Sequence, residues 1–78
     1  MFYVYCLKCC DKSFYIGCTD NFKKRYLRHA KGYVLATKNR IPVSVEFYFA
    51  FKNKYIAYKF EKYLKSGSGR AFISKHFI

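Results

Sequence analysis

The chain has few acidic residues and no long apolar run. Only four of its side chains are acidic, against 16 lysines and arginines, which gives a formal net charge of +12. No segment approaches the roughly 20 apolar residues of a membrane-spanning helix. The stretch from Met1 to Leu7 also lacks the basic region and long apolar stretch of a signal peptide. We therefore expect a cytoplasmic protein with reduced thiols.

The cysteines do not form a complete metal-binding motif. Cys6 and Cys9 have the spacing of half a zinc site, and Cys18 would approach them across a hairpin. However, no second Cys-x-x-Cys motif or pair of histidines completes a tetrahedral set. We expect all four cysteines to be free thiols. A small interaction protein stabilised by zinc on Cys6, Cys9 and Cys18 is the alternative.

The most prominent property that the chain does have is its positive charge. A field this positive attracts polyanions and raises the rate at which the protein meets them. Nucleic acid is the first partner we expect, because phosphate contacts dominate affinity in such proteins, and an anionic membrane surface is the second. The basic residues are spread along the chain rather than concentrated in a tail. This distribution favours a folded basic surface over a disordered arm.

The length predicts a single domain over residues 1–78. A chain this short buries only about 60% of its unfolded surface, so its core is thin. The nine Phe and nine Tyr residues suit such a core, since each buried aromatic side chain removes roughly 150–250 Å² from water. We expect most of these aromatic residues to serve packing.

Two β-prone runs near the start predict a hairpin. The runs are Phe2–Lys8 and Ser13–Cys18, and a polar turn joins them. Because side chains alternate along a strand, Tyr3 and Tyr5 share one face of the predicted sheet. In a simple register Tyr15 of the second strand meets them on that face.

A first helix is predicted to follow the hairpin. Asp20 or Thr19 is the expected N-cap, the helix runs to about Lys31, and Gly32 ends it. Its predicted apolar stripe consists of Phe22, Tyr26, Leu27 and Ala30. Beside that stripe Arg25 and His29 are four positions apart, so they share a face of the helix.

The second half of the chain predicts a third strand and two helices. The strand covers Val43–Phe51, a helix follows over about Asn53–Lys65, and Ser68 is the expected cap of a short final helix. Glu61 borders the buried stripe of the second helix. Alternation predicts that Val45, Phe47, Phe49 and Phe51 share one face of the strand, and the predicted buried stripe of the helix is Ala57, Phe60 and Leu64.

A few polar residues in this framework have the chemistry that phosphodiester hydrolysis needs. The phosphate charge must be neutralised, a water deprotonated and the leaving oxygen stabilised. Glu61 can hold one Mg²⁺ whose other ligands are waters and substrate oxygens. Arg25 can grip a phosphate with its planar guanidinium, and His29 can relay a proton or donate to phosphate. A tyrosine can act as general base only if its pKa falls well below about 10, which nearby cations favour.

The order of these residues resembles the GIY-YIG endonuclease superfamily. Tyr3-Val4-Tyr5 stands where that family has its first tripeptide, and Tyr15-Ile16-Gly17 matches the second. The resemblance covers nearly the whole chain, and in size the chain is similar to small stand-alone members related to the N-terminal nuclease domain of the excinuclease C subunit. The remaining matches in order and approximate spacing are Thr19, Arg25, His29, Gly32 and Glu61.

The resemblance implies a fold, an activity and a site. The fold is α+β, a three-stranded antiparallel sheet flanked by helices, and the activity is an endonuclease that uses one divalent ion, Mg²⁺ or Mn²⁺. Tyr5 and Tyr15 become the phenols of the site, with one of them as general base. Arg25 becomes the phosphate-binding cation, His29 the accessory polar residue and Glu61 the metal ligand.

The expected substrate is DNA, in repair or in the processing of structured DNA. Targeting would come from DNA shape or from a protein partner. The residues expected to contact nucleic acid are Gly17, Thr19, Lys24, Arg28 and Arg70.

The chain departs from the family pattern at two points. Tyr3 replaces the first glycine, and we assign it to packing. A late asparagine seen in several members has no counterpart after Glu61. A non-catalytic nucleic-acid-binding module with the same fold is therefore the alternative function.

Overall fold

The computed structural model describes residues 1–77, which form three strands and three helices. The strands make one antiparallel sheet in which β1 (Phe2–Lys8) lies between β2 (Phe14–Thr19) and β3 (Ser44–Phe51), so β2 lies at an edge. This architecture confirms the predicted α+β fold. The elements are β1 Phe2–Lys8, β2 Phe14–Thr19, α1 Phe22–Ala30, β3 Ser44–Phe51, α2 Lys54–Leu64 and α3 Gly67–His76.

The hairpin has the predicted register. Tyr5 lies opposite Gly17, and Leu7 lies opposite Tyr15. Because residues paired across strands share a face, these four and Tyr3 all lie on one side of the sheet, which we call the tyrosine face. Helix α1 packs on the tyrosine face, since Phe22 of α1 contacts both Tyr3 and Tyr5.

Helices α2 and α3 cover the opposite face of the sheet. Aromatic and branched residues of all three strands form a core cluster with these helices, and a smaller cluster forms on the tyrosine face. The larger cluster contains Val4, Cys6, Ile16, Phe47, Ala57, Leu64 and Ile73. The smaller one contains Tyr5, Leu7, Cys9 and Val43, with Tyr15, Phe22 and Tyr26 packed against it.

A bulge interrupts the predicted alternation of side chains along β3. Cys6 pairs with Phe47, but the next residue of β1, Leu7, pairs with Val45. Such a slip of one residue moves the following side chains to the other face. Val45 therefore lies on the opposite side from Phe47 and is exposed, so the prediction that these two residues share a face was wrong.

The helix caps differ from the predicted ones. Asn21 caps α1, since its side chain accepts a hydrogen bond from the Lys24 backbone N–H, whereas Thr19 and Asp20 precede the cap. Thr19 instead accepts from the Asn21 backbone, which fixes the turn into the helix. In α3 the cap is Ser66, whose hydroxyl accepts from the backbone of Gly69.

The third helix therefore starts earlier than the Ser68 cap predicted. Gly67 and Gly69 lie inside α3 rather than interrupting the chain. Gly69 is buried, and a side chain there would collide with the backbone of Tyr63. The glycine at this position lets α3 pack closely against the end of α2.

The inward face of α1 is more polar than predicted. Leu27 is 46% exposed and Ala30 is also exposed, so two members of the predicted stripe were wrong. The inward positions are instead occupied by Phe22, Arg25, Tyr26 and His29, which follow the spacing of a single helix face. The hydrophobic pattern alone pointed about one residue away from the true interface.

The segment between α1 and β3 is a loop of turns tied to the hairpin. Gly32 ends the helix with φ of +77°, as predicted for a left-handed stop. Arg40 fastens the loop, because its guanidinium donates to the Ser13 hydroxyl at 2.6 Å and its carbonyl accepts from the Cys10 backbone at 3.0 Å. The loop is thus held against the β1–β2 turn.

The four cysteines are free thiols. Cys6 and Cys9 are both buried but belong to different core clusters, one on each face of the sheet. Burial raises the pKa of Cys6 to about 12, which keeps it protonated. No helix within residues 1–77 combines the length and the apolar character that crossing a membrane requires.

Candidate nuclease site

A buried hydrogen-bonded chain links β1, α1 and the following loop. The Tyr5 hydroxyl lies 2.9 Å from Nε2 of His29, and Nδ1 of His29 lies 2.8 Å from the Thr37 hydroxyl. All three side chains are fully buried. Arg25 reaches the same phenol from the more exposed side, with its Nε donating to the Tyr5 oxygen at 3.4 Å.

The donors in this chain assign the histidine tautomer. Since Arg25 has only donors, the Tyr5 oxygen accepts from it and the Tyr5 hydroxyl hydrogen is free to donate to Nε2 of His29. The His29 Nδ1–H then donates to Thr37. This arrangement satisfies every polar atom of the imidazole and the phenol.

Burial sets the charge states of this chain. Burial, followed by the nearby positive charge of Arg25, lowers the pKa of His29 to about 4. Burial also raises the pKa of Tyr5 to about 12, against the opposing hydrogen bond from Arg25. Near neutral pH both groups are therefore uncharged, and Tyr5 does not become the phenolate that a general base requires.

Gly17 provides the space that the Tyr5 ring fills. A methyl group added at Gly17 would lie 2.5 Å from Cζ of Tyr5 and 3.0 Å from the Tyr15 ring. The space next to Gly17 is therefore filled by a phenol of the same protein. Gly17 is itself buried, so the expected contact between Gly17 and nucleic acid has no open surface.

Tyr15 is the more accessible of the two predicted phenols. It is half-buried on the edge strand β2, with its ring 5.0 Å from that of His29 and 6.3 Å from that of Tyr5. Tyr15 is also one of the residues that line a cleft of about 640 Å³ beside α2 and α3. Tyr15 thus connects the buried chain to an open surface.

Arg25 is held between these phenols while remaining partly exposed. The hydrogen bond to Tyr5, with a smaller contribution from Tyr15, raises the pKa of Arg25 above its already high value. The guanidinium is therefore permanently charged, and its Nε is engaged by Tyr5. A guanidinium fixed in this way can present its remaining N–H groups to a phosphate.

Glu61 lies on the other side of the sheet from the phenols. Helix α2 packs Ala57 and Leu64 into the larger core cluster, and Glu61 forms an ion pair with Lys65 at 3.2 Å. Its charge is close enough to raise the pKa of Tyr5, although this is the weakest of the causes. Helix α2 covers the opposite face, so Glu61 and the phenols approach the β2 edge from different sides of the sheet.

The predicted residues therefore lie around the edge of the sheet rather than on one face. Phe14 and Ile16 of the edge strand line the 640 Å³ cleft together with Lys65 and Arg70, and Tyr15 belongs to both the cleft and the tyrosine face. A second cleft of about 500 Å³ lies at the end of β2, where Thr19 meets α2. A ligand along the edge of β2 would contact residues from both faces.

The basic residues expected to bind nucleic acid have different positions. Arg70 is exposed and lines the larger cleft, whereas Lys24 and Arg28 are exposed on the outer side of α1. Lys24 and Arg28 are four residues apart and share one helix face. Residues of this site thus extend from α1 around the β2 edge to α3.

Thr37 is the site residue that the sequence analysis missed. It is fully buried, and its hydroxyl contacts His29. Its backbone also closes turns with Val34 and Arg40. A threonine in an irregular loop carries no periodic signal, so only the three-dimensional structure identifies its role.

The residues present fit a metal ion only in a sparsely liganded form. Within residues 1–77 no group of three or more histidine, cysteine, aspartate or glutamate side chains is placed to share an ion. Glu61 offers one partly exposed carboxylate beside the β2 edge. A single carboxylate suits Mg²⁺, which keeps several waters and takes further oxygens from a bound phosphate.

Comparisons with known proteins identify the family of this chain. The family described as the GIY-YIG catalytic domain matches residues 1–74. A UPF0213 protein of Clostridium perfringens is 42% identical over 66 residues, covering 83% of this chain and 71% of that protein. A UPF0213 protein of Streptococcus pyogenes is 37% identical over 79 residues, covering 95% of this chain and 86% of that protein.

A solved structure shows the same fold. The solution structure of a UPF0213 protein from Bacillus halodurans aligns with a TM-score of 0.62 and 32% identity, covering 99% of this chain and 87% of that one. The names of these relatives state no activity. The chain therefore belongs to the GIY-YIG catalytic domain family, a family of the nuclease type, and its relatives are small UPF0213 proteins.

Proposed function

We propose that this protein is a divalent-metal-dependent endonuclease that hydrolyses phosphodiester bonds in DNA. The observation that carries the proposal is the position of Arg25, which is held at the Tyr5 hydroxyl beside the half-buried Tyr15. A fixed cation next to an accessible phenol suits the binding of a phosphate and the activation of a water. The net charge of +12 supports DNA as the polyanion.

Tyr15 is the general base in this proposal. Its phenolate removes a proton from the attacking water, the water oxygen bonds to phosphorus, and the bond from phosphorus to the leaving oxygen breaks. The leaving oxygen takes a proton from solvent. Arg25 neutralises the non-bridging oxygens and stabilises the negative phenolate.

Tyr5 and His29 have a positioning role in this proposal. Both are fully buried, so neither touches the substrate. The Tyr5 hydroxyl fixes Nε of Arg25, and neutral His29 fixes the Tyr5 hydroxyl in turn. This support restrains the guanidinium before a phosphate arrives, and such preorganisation is worth more than a flexible contact.

Glu61 is the residue proposed to hold the divalent ion. When bound, Mg²⁺ or Mn²⁺ would supply charge neutralisation at the phosphate oxygens. Its carboxylate is partly exposed on α2, where an ion and a phosphate could reach it, although the Lys65 ammonium 3.2 Å away competes for it.

Cleavage by the purified full chain tests the proposal. Supercoiled plasmid and a panel of linear, branched and single-stranded DNAs are incubated with Mg²⁺ or Mn²⁺. We expect nicking that falls at least about 100-fold in Glu61→Gln, Arg25→Ala and Tyr15→Phe, the usual scale for loss of a catalytic group. Lys62→Gln, at an exposed position on the same helix as Glu61, is the matched control and should retain the wild-type rate.

Two results would contradict the proposal. Equal nicking by wild type, Glu61→Gln and Arg25→Ala would identify a contaminating nuclease. Salt-dependent DNA binding with no cleavage under either ion would favour the non-catalytic binding module, which the missing late asparagine supports.

A further inference from the structure

Helix α2 carries a line of residues directed at the β2 edge. Lys54, Tyr58, Glu61 and Lys65 are separated by four, three and four positions, which places them on one side of the helix. We call these residues the α2 stripe. The buried residues of the helix, Ala57 and Leu64, lie on the neighbouring side, so the stripe borders the sheet.

The two clefts beside β2 lie at the two ends of this stripe. Lys54 and Tyr58 line the 500 Å³ cleft, and the other residues lining it are Phe2, Cys18, Thr19 and Asp20. Lys65 lines the 640 Å³ cleft together with Tyr15 and Arg70. Glu61 follows Tyr58 and precedes Lys65 along the helix, so it lies between the residues of α2 that line the two clefts.

Tyr58 has the properties of an unused stacking surface. The residue is 47% exposed, and its ring forms no aromatic pair with any other ring in residues 1–77. Most aromatic residues near the sheet pack against one another, so an unpaired ring in a cleft is available to a ligand. Aromatic side chains in a basic groove are the typical platform for an unpaired base.

Distances along the helix connect Tyr58 to the proposed metal site. Tyr58 precedes Glu61 by three residues, or about 4.5 Å of helix rise. A base stacked on Tyr58 would therefore belong to a nucleotide whose phosphate lies close to Glu61. Lys54 and Lys65 would accompany the phosphates on either side.

We propose that the α2 stripe and the β2 edge bind a single-stranded DNA segment, with Tyr58 stacking on the unpaired base next to the cleaved phosphate. This inference rests on the proposed function for the position of cleavage. In a duplex the bases are stacked on one another and paired, so their faces are closed to Tyr58. The site therefore selects DNA with an unpaired nucleotide at the cleavage position.

Binding without a metal ion tests this inference separately from cleavage. The full chain is titrated, in the presence of a chelator, against a short fluorescent single-stranded oligonucleotide and against the matching duplex. We expect Tyr58→Leu to weaken single-strand binding by about fivefold or more, the effect of losing one base stack. Duplex binding should change by less than about twofold, and Tyr58→Phe should bind as the wild type does.

A second measurement reports stacking directly. The chain has no tryptophan, so 2-aminopurine placed in the oligonucleotide can be excited with little protein background. The wild type should quench this base, and Tyr58→Leu should remove the quenching. Tyr55→Leu is the matched control, because Tyr55 is 74% exposed on the same helix but lines neither cleft.

Three outcomes would overturn the inference. One is equal loss of binding in Tyr58→Leu and Tyr55→Leu, and another is equal loss on single-stranded and duplex DNA in Tyr58→Leu. The third is loss of binding in Tyr58→Phe, which would assign the effect to the hydroxyl group. If plasmid cleavage fails but single-strand binding depends on Tyr58, the binding surface stands and the proposed nuclease activity does not.

Discussion

The Tyr5 hydroxyl lies 2.9 Å from Nε2 of His29 in the interior of the protein, where both side chains are fully buried. This bond joins the central strand to the first helix. It also removes one of the two predicted phenols from the surface, so Tyr5 and Tyr15 have different roles although the sequence presents them as equivalents.

Removing either phenol hydroxyl should separate these roles. Tyr5→Phe leaves buried Nε2 of His29 without its partner, so we expect it to lower the free energy of unfolding by about 1–3 kcal/mol. Tyr15→Phe should change that free energy by less than about 0.5 kcal/mol, because Tyr15 is half-buried. Denaturant unfolding measures both changes in free energy, and plasmid nicking tests the loss of activity proposed for Tyr15→Phe.

The reverse pattern would contradict this assignment. Full stability in Tyr5→Phe would mean that the buried hydrogen bonds contribute little. Full nicking activity in Tyr15→Phe would show that another group deprotonates the water.

The lowered pKa of His29 predicts loss of stability in acid. The pKa of His29 is about 4 in the folded protein against an ordinary 6.5, so the unfolded chain binds the proton first as the pH falls. The stabilisation is complete above about pH 6.5 and is lost progressively down to about pH 4. Its size is roughly 3 kcal/mol, from about 1.4 kcal/mol for each pKa unit.

Unfolding by denaturant between pH 7 and pH 4 checks this dependence. His29→Gln should be less stable at pH 7 but should show a flatter pH dependence than the wild type. His76→Gln changes the other histidine, which is exposed in α3, and should leave the dependence unchanged. Parallel curves for the wild type and His29→Gln would rule out His29 as the source of the pH dependence of stability.

Gly17→Ala should disrupt the site through the Tyr5 ring. The added methyl group would overlap the phenol, which is fully buried and held by Arg25 and His29. We expect a loss of about 1–3 kcal/mol in the free energy of unfolding, as for other overpacked positions. Gly67→Ala is the control, since a methyl group there meets no atom within 4 Å and should be neutral or slightly stabilising.

Thermal unfolding of both variants gives the comparison. A Gly17→Ala protein as stable as Gly67→Ala would show that Tyr5 can move aside without cost. In that case the buried hydrogen bonds would not restrain Arg25, and the positioning role of Tyr5 would fail.

The Glu61–Lys65 ion pair should compete with metal binding. Lys65→Met removes the cation 3.2 Å from the carboxylate, so we expect the Mg²⁺ concentration for half-maximal cleavage to fall about twofold to fivefold, the scale of an exposed ion pair. Lys65 also lines the larger cleft, so DNA affinity should weaken at the same time. Mg²⁺ titrations at saturating DNA separate the two effects.

Lys62→Met removes an equal charge from the same helix and is the control. Since Lys62 is exposed and the ion pair of Glu61 is with Lys65, the effect of Lys62→Met on the Mg²⁺ requirement should be smaller. An equal shift in both variants would indicate a general field effect rather than competition at Glu61.

The hairpin was predictable because its signal is local. Strand β1 has the predicted bounds, and alternation correctly put Tyr3, Tyr5 and Tyr15 on one face. The face that α1 buries was not predictable in the same way, because hydrophobicity favoured Leu27 over His29 as a buried residue. A histidine becomes a good interior residue only when partners such as Tyr5 and Thr37 satisfy both of its nitrogens.

The relation of Glu61 to the phenols could not be read from the sequence either. Its position beside the buried stripe of α2 was predicted correctly, but that stripe faces the opposite side of the sheet from Tyr5. Sequence spacing fixes a position on a helix, whereas the side of the sheet that the helix covers depends on how the chain crosses from β3 to α2. Only the three-dimensional arrangement shows that the predicted residues meet around the edge strand.

The chain of contacts through Tyr5, His29 and Thr37 has a consequence for how the protein folds. Its members come from a strand, a helix and a loop that Arg40 ties to the hairpin turn. No subset of these segments can form the chain alone, so strand, helix and loop must all be in place before it is complete. Detaching α1 alone would release Arg25 from Tyr5 even while the sheet stayed intact. On the proposed function, cleavage would therefore be lost at the local opening of α1, before the protein unfolds as a whole.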